Sequence, residues 1–143
     1  MKDRKKANLL FYRDINEGAS FSFEKKISQK DVNIFADLTG DYNPLHTNKN
    51  FGKKSRFGKN IAHGLMVGSL FSKLVGMYCP GEKSLYVAQT FNFREPIFIG
   101  DKVTVNGVVT AKNDSIKLIT LKTEIWKESK LAINGEAKVA IIE

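Results

Sequence analysis

The segment Gly64-Leu65-Met66-Val67-Gly68-Ser69-Leu70-Phe71-Ser72-Lys73-Leu74-Val75-Gly76-Met77-Tyr78 constrains the fold more than any other part of this sequence. It is apolar on nearly every face, which marks a helix that belongs inside a protein. With its flanks, Ile61 to Cys79, it carries His63 and Lys73 among several glycines, and falls short of the roughly 20 clean apolar residues a membrane span needs. A buried helix needs something wrapped around it, and the chain supplies strands. Leu85 to Phe93 alternates, with Val87, Gln89, Phe91 and Phe93 on one face. Lys102 to Ala111 follows, its Val103, Val105 and Val109 broken by Asn106-Gly107. Ile116 to Trp126 comes after a turn at Asn113-Asp114, and Leu131 to Ile142 is last, with Asn134-Gly135 suggesting a bulge or a twisted start.

Upstream, Ser20 to Ile27 partly alternates and reads as a first strand. Ser28, three residues before Asp31, opens a helix in the manner of a capping box. Val32, Phe35, Ala36 and Leu38 give that helix an apolar stripe, and Gly40 is placed to stop it. Residues 47–60 read as a polar loop with one short helix around Lys49 to Lys54, and Pro80-Gly81 ends the long helix. Helices first and consecutive strands after them argue an α+β fold, an antiparallel sheet with one long helix on it.

Gly64, Gly68, Ser72 and Gly76 recur every fourth residue along that helix and form one small-residue stripe. Each helical glycine costs about 1 kcal/mol relative to alanine, so something must approach closely. A packed strand, a second helix and a ligand channel all fit that pattern.

At 143 residues the chain reads as one domain, residues 1–143, long enough for a proper core. Residues 1–20 are an extension whose structure the pattern does not specify. The basic start, Met1-Lys2-Asp3-Arg4-Lys5-Lys6, leads into an apolar run too short and too polar for a signal peptide. Cys79 is the single cysteine, has no basic cluster beside it, and reads as a small buried apolar residue of a cytoplasmic protein. The net charge of +8 is spread over scattered lysines and arginines. It fits a solvated basic surface or attraction of a phosphate-bearing ligand; no long basic helix, zinc ligand set or RNP-type motif points to nucleic acid.

Chemistry concentrates in Thr39-Gly40-Asp41-Tyr42-Asn43-Pro44-Leu45-His46 and Ile61-Ala62-His63-Gly64. The first places a carboxylate and an imidazole five residues apart on a turn that Pro44 stiffens, since proline fixes its own φ and restricts Asn43 to extended conformations. The second puts a glycine at a helix start, where an N–H is free and nothing shields it. Adding water to an α,β-unsaturated thioester needs a base for the water, an acid for the α-carbon and a donor for the enolate oxygen. Asp41, His46 and Gly64 are suited to those three tasks. The same residues also allow a purely structural reading: Asp41 as a turn carboxylate bonded to its own backbone, and His63 as a helix cap. Two histidines without cysteine or a ligand-spaced carboxylate cluster make a poor metal set. Ser72 lacks the Gly-x-Ser-x-Gly surroundings of a hydrolase nucleophile.

Gly40-Asp41-Tyr42-Asn43-Pro44-Leu45-His46, followed by Ile61-Ala62-His63-Gly64-Leu65-Met66, resembles the MaoC-like hydratase family (the hydratase 2 motif) and looks close to the bacterial (R)-specific enoyl-CoA hydratases. The likeness runs from about Phe21 to the C-terminus and includes Ser69-Leu70-Phe71-Ser72 and Gln89-Thr90-Phe91-Asn92-Phe93-Arg94-Glu95-Pro96. It implies a hot-dog fold, a sheet wrapped around a central helix, and a homodimer with sites near the subunit interface. It implies that Asp41 and His46 hold and activate water and that the Gly64 N–H binds the thioester oxygen. Asn43, His63, Ser72 and, more weakly, Val75 become substrate-side residues, Asn43 as a brace of the turn. The reaction implied is reversible, (R)-specific hydration of a trans-2-enoyl-CoA, with no metal or redox cofactor. The same step on an acyl-carrier-protein thioester, or a hot-dog thioesterase activity, are the alternatives. Arg56, Lys59 and Arg94 are candidates for the carrier's phosphates.

Overall fold

A computed structural model describes residues 5–143 of the chain; Met1 to Arg4, part of the basic start, lie outside the described residues. In order, the elements are β1 (Ser20–Lys26), α1 (Gln29–Thr39), α2 (Pro44–Thr47), α3 (Lys49–Lys54), α4 (Gly64–Gly68), α5 (Leu70–Lys73) and a π-helical turn (Leu74–Tyr78). Five strands follow: β2 (Ser84–Gln89), β3 (Asn92–Phe93), β4 (Lys102–Asn113), β5 (Leu118–Lys127) and β6 (Lys130–Ile141). All pair antiparallel in one sheet ordered β1-β4-β5-β6-β2, with β3 also on β6. The helical segment from Gly64 to Tyr78 packs on this sheet. Val67, Phe71 and Leu74 are buried with Val103 and Val105 of β4, Ile125 of β5 and Ile133 of β6. This is the α+β, hot-dog arrangement, with the apolar segment at its centre.

The central segment is less regular than its sequence suggests. Ser69 separates α4 from α5, its hydroxyl donating to the Met66 carbonyl, and the last turn widens to π geometry. The small-residue stripe has a mixed explanation. A Cβ on Gly68 would stand 2.7 Å from the Phe91 ring and one on Gly64 3.0 Å from the Phe93 ring, so the β2–β3 chain packs on these two positions. Gly76 has nothing within 4 Å.

Asn106-Gly107 does not break β4, which runs unbroken to Asn113. Gly107 is where the Leu74 side chain presses into the strand, at 2.6 Å from the Cβ an alanine would carry. The continuous run expected over Leu85 to Phe93 is instead two strands that part at Thr90-Phe91, and within β2 a register shift between Tyr86 and Ala88 puts Val87 out of step. In α1 the capping box forms as read: Asp31 N–H donates to Ser28 Oγ at 3.1 Å and Ser28 N–H to Asp31 Oδ2 at 2.9 Å. Val32 and Ala36 are buried, but Leu38 is 80% exposed. Six residues past Val32 is 240° around a helix, so Leu38 falls off the stripe.

From Lys5 onward the segment before β1 is tied to the body of the fold and contributes Tyr12 and Ile15 to its core. Asn8 N–H donates to the Met77 carbonyl, Leu9 bridges to Gly81, and Gly18 N–H donates to the Val109 carbonyl. Between these ties Tyr12 and Ile15 are buried with Val75, Cys79, Val109 and the β5–β6 residues Ile119, Leu121 and Val139. Burying a side chain such as Ile15 contributes about 1.5–3 kcal/mol relative to leaving it in water, so this strap is part of what holds the sheet's far end closed. No helix among the described residues is long and apolar enough to cross a membrane.

Candidate functional site

The site begins where α1 stops. Gly40 adopts φ 78°, in the left-handed region, and its N–H donates to the Ala36 carbonyl, turning the chain out of the helix. Thr39 Oγ1 accepts from Asp41 N–H at 3.2 Å. Asp41 Oδ1 accepts from Asn43 N–H at 3.2 Å, a local turn bond. Its second oxygen is left to the site, and the side chain is 49% exposed. The two readings of Asp41 thus divide between its two oxygens. Asn43 is extended at φ −51°, ψ 128°, and its Oδ1 accepts from Leu45 N–H at 3.0 Å, capping α2 with Pro44 in the first turn. Asn43 is therefore the brace of the turn, its side-chain oxygen spent on backbone. One turn of α2 then presents His46.

Four consecutive residues, Ile61 to Gly64, meet this turn from the other side. The Ile61 carbonyl accepts from His46 Nδ1–H at 2.8 Å. A carbonyl only accepts, so the hydrogen is on Nδ1, and in the neutral ring Nε2 keeps a bare lone pair. His63 Nε2 lies 3.0 Å from the Asp41 carbonyl and by the same argument donates to it. The His46 and His63 rings sit 4.0 Å apart, and the Phe35 ring is 4.9 Å from His63. Gly64 opens α4 exposed, and its N–H has no backbone acceptor among the described residues. This tetrapeptide is anchored in turn: Ala62 N–H donates to the Ile97 carbonyl at 2.7 Å, and Ile61 forms an antiparallel bridge with Phe98. Asn60 Nδ2 donates to the carbonyls of Leu45 and Asn48 at 2.8 and 2.9 Å, stapling the intervening loop to α2.

His46 and Gly64 line one cavity of about 280 Å³, together with Arg56, Phe57, Val67, Phe93, Arg94 and Glu95. Two of the three basic candidates, Arg56 and Arg94, are on its wall. Lys59 is not: it borders a separate surface depression with Lys49 and Lys53, and its Nζ lies 4.4 Å over the Phe98 ring. Val75 departs from the substrate-side expectation. It is 1% exposed in the cluster with Tyr12 and Ile15, a packing position. Ser72 is exposed on the surface of the single chain. His63 is not on the wall of that cavity. It is 2% exposed, its backbone carbonyl accepts from Val67 N–H at the start of α4, and its side chain caps nothing.

Asp41, His46 and His63 together offer three ligand-type atoms within 4.8 Å of one another, closer than their sequence spacing suggests. His63 Nε2 and His46 Nδ1 each spend a hydrogen on a carbonyl. In the neutral rings His46 Nε2, the buried His63 Nδ1 and the second Asp41 oxygen keep lone pairs. Acceptors of the kind His46 and Asp41 offer suit a water molecule.

The sequence profile of the MaoC like domain matches residues 11–130, beginning about ten residues before the motif-based likeness does and taking in part of the N-terminal strap. The chain is 37% identical over 133 residues to an (R)-specific enoyl-CoA hydratase of Rhodospirillum rubrum, covering 93% of this chain and 92% of that one. It is 35% identical to a 3-hydroxybutyryl-CoA dehydratase of Methylorubrum extorquens, over 93% of this chain and 85% of that one. Among solved structures, the (R)-hydratase from A. caviae involved in PHA biosynthesis superimposes with a TM-score of 0.88 at 36% identity, covering 90% of this chain and 98% of that chain.

Proposed function

Because this chain belongs to the MaoC-like domain family, we propose that it is a hydro-lyase that adds water reversibly to a trans-2-enoyl-CoA and forms the (R)-3-hydroxyacyl-CoA. The observation that carries this reading is the His46 ring. Its Nδ1 is pinned to the Ile61 carbonyl, the residue lines the cavity shared with Gly64, and a ring nitrogen lies within 4.8 Å of an Asp41 carboxylate oxygen. Water held between His46 Nε2 and the free Asp41 oxygen gives up a proton as its oxygen attacks the β-carbon. A proton returned to the α-carbon from the same side completes a syn addition. Water is divided into OH on one carbon and H on the next, so no net proton is taken up and no metal or redox cofactor is called for. The Gly64 N–H holds the thioester oxygen as the enolate forms, a contribution of about 10²- to 10³-fold for one such donor.

Arg56 and Arg94, on the cavity wall, meet the phosphates of the carrier. The names of the relatives favour coenzyme A over a carrier protein. The chain works as a homodimer. β2 is an edge strand of the sheet, and Leu85 and Val87 on it, with Phe93 and Leu65 beside the site, are exposed apolar side chains that a second copy would cover. A cytoplasmic location fits the single buried cysteine.

The test is direct. The protein is incubated with crotonyl-CoA and longer enoyl-CoAs, and loss of the conjugated enoyl absorbance is followed with coupling to an (R)-specific 3-hydroxyacyl-CoA dehydrogenase. Turnover feeding that coupling enzyme is the expected result. An (S) product, release of free thiol, or no turnover on any chain length or carrier would overturn the proposal. Light scattering behind a sizing column should give a dimer mass.

A further inference from the structure

We propose that His63 is a positioning residue for the water-holding pair, setting the distance between Asp41 and His46 without touching substrate. The inference rests on the reading of Asp41 and His46 given above and adds a third side chain to it. Asp41 sits in an exposed turn, and its own hydrogen bonds, to Thr39 and Asn43, are local. The long-range tie on that residue is the bond from His63 Nε2–H to the Asp41 carbonyl, across 22 residues of sequence. The second contact is ring packing. The His63 ring meets Phe35 at 4.9 Å and His46 at 4.0 Å between centroids, tilted by 56° and 32°, so it limits how far the His46 ring can lean. One buried side chain therefore grips both members of the pair, one by its ring edge and the other by its face.

A packing role alone does not account for this residue. A leucine or phenylalanine would fill the same space without burying polar atoms. His63 Nδ1 is buried with no hydrogen-bond partner among the described residues, a cost that buried polar groups rarely carry without a reason. The ring tip supplies that reason, since reaching the Asp41 carbonyl requires a donor at the end of a planar side chain. Misplacing a catalytic group by about 1 Å is enough to lose about a hundredfold in rate.

The experiment uses the full chain and crotonyl-CoA hydration, with kcat and KM measured separately and folding checked by circular dichroism. His63→Phe keeps a ring between Phe35 and His46 and removes the donor. Its kcat should fall by about 30- to 100-fold while KM moves by less than about threefold, the pattern of lost alignment and not of lost binding. His63→Gln keeps an N–H that reaches the carbonyl, whereas His63→Asn carries the donor too close to the backbone to reach. Gln should therefore exceed Asn by about tenfold in kcat. The decisive arm is the pair with Asp41→Asn. In that background His63→Phe should cost less than about threefold, because the group it positions is no longer a base. Near-normal kcat in folded His63→Phe, equal rates for Gln and Asn, or a full additive loss in the Asp41→Asn background would each overturn the proposal. If His63→Phe fails to fold, the Gln and Asn comparison decides alone. Full activity of Asp41→Asn itself would instead refute the underlying site reading, a separate result from any of these.

Discussion

Asp41→Asn separates chemistry from structure more cleanly than any other change at this site. The carboxylate has two oxygens with different tasks. Oδ1 accepts from Asn43 N–H at 3.2 Å, and an asparagine carbonyl oxygen can accept the same bond. The other oxygen is 3.9 Å from His63 Nε2, whose hydrogen is already given to the Asp41 carbonyl, so no ion pair is lost. The side chain is half in solvent, and exposed substitutions of this kind stay within about 0.5 kcal/mol. For a chain of this size that is a shift of roughly 2 °C or less in melting temperature. The rate should respond on a different scale. Removing a general base costs about 10²- to 10⁴-fold, equivalent to about 2.7 to 5.4 kcal/mol in the barrier. The assay is the decay of enoyl absorbance on crotonyl-CoA, with thermal unfolding on the same preparation. A variant within about tenfold of wild-type kcat/KM would place the base elsewhere. A melting temperature that collapses together with the rate would mean that Asp41 is structural.

Three further outcomes follow from the packing. Gly135→Ala should destabilise the sheet by about 1–3 kcal/mol or more in urea unfolding, because its Cβ would stand on the Thr90 carbonyl, a backbone atom that cannot swing away. Cys79 is fully buried, which pushes its thiol up to about 12, so a thiol reagent should leave the native protein unlabelled at neutral pH and modify it fully once unfolded. Burial and the 2.6 Å hydrogen bond to Asp114 push the Tyr12 phenol up to about 12 from an ordinary 10. A raised folded pKa means that its contribution is intact below about pH 10 and is lost as pH rises toward 12. Melting temperature followed against pH should therefore fall less steeply over that window in Tyr12→Phe than in wild type; parallel curves would refute the assignment.

Much of this architecture is legible in the residues because it is decided locally. Ser28 and Asp31 satisfy each other's backbone within one turn, and Gly40 is the residue type that a left-handed exit from α1 requires. The short helix at Lys49–Lys54 is equally local, with Asn48 capping it. What escaped the sequence depends on partners far along the chain. Asn106-Gly107 looks like a turn from its neighbours and is a strand paired on both sides, to Ser22 and Phe21 and to Glu124 and Thr123, with Leu74 filling the place of a side chain at Gly107. The strap through Tyr12 and Ile15 has no periodicity, and its value comes from the β5–β6 face it covers. Val87 breaks an alternation that composition alone would continue. At the site, Asp41, His46 and Gly64 are visible because their residue types are chemically scarce. His63 reads equally well as a cap until the Asp41 carbonyl is found at the end of its ring.

The second motif is the rigid half of the site, and the first depends on it. Asp41 and His46 lie on a turn and a one-turn helix, elements too short to hold a fixed geometry alone. Each has one long-range anchor, Asp41 to His63 and His46 to Ile61, and both anchors fall within four consecutive residues. That stretch also presents the Gly64 N–H, so in the proposed mechanism the spacing of water to thioester oxygen is set by the geometry of a single tetrapeptide. The tetrapeptide is fixed by Ile97 and Phe98 in the approach to β4, and from there by the sheet. Length changes in the loop before Asn60 should be absorbed before they reach the site, because Asn60 ties the loop's exit back to Leu45 and Asn48. A residue inserted between Ile61 and His63 has no such buffer. It would move one anchor relative to the other and pull the two water acceptors apart while leaving every side chain present.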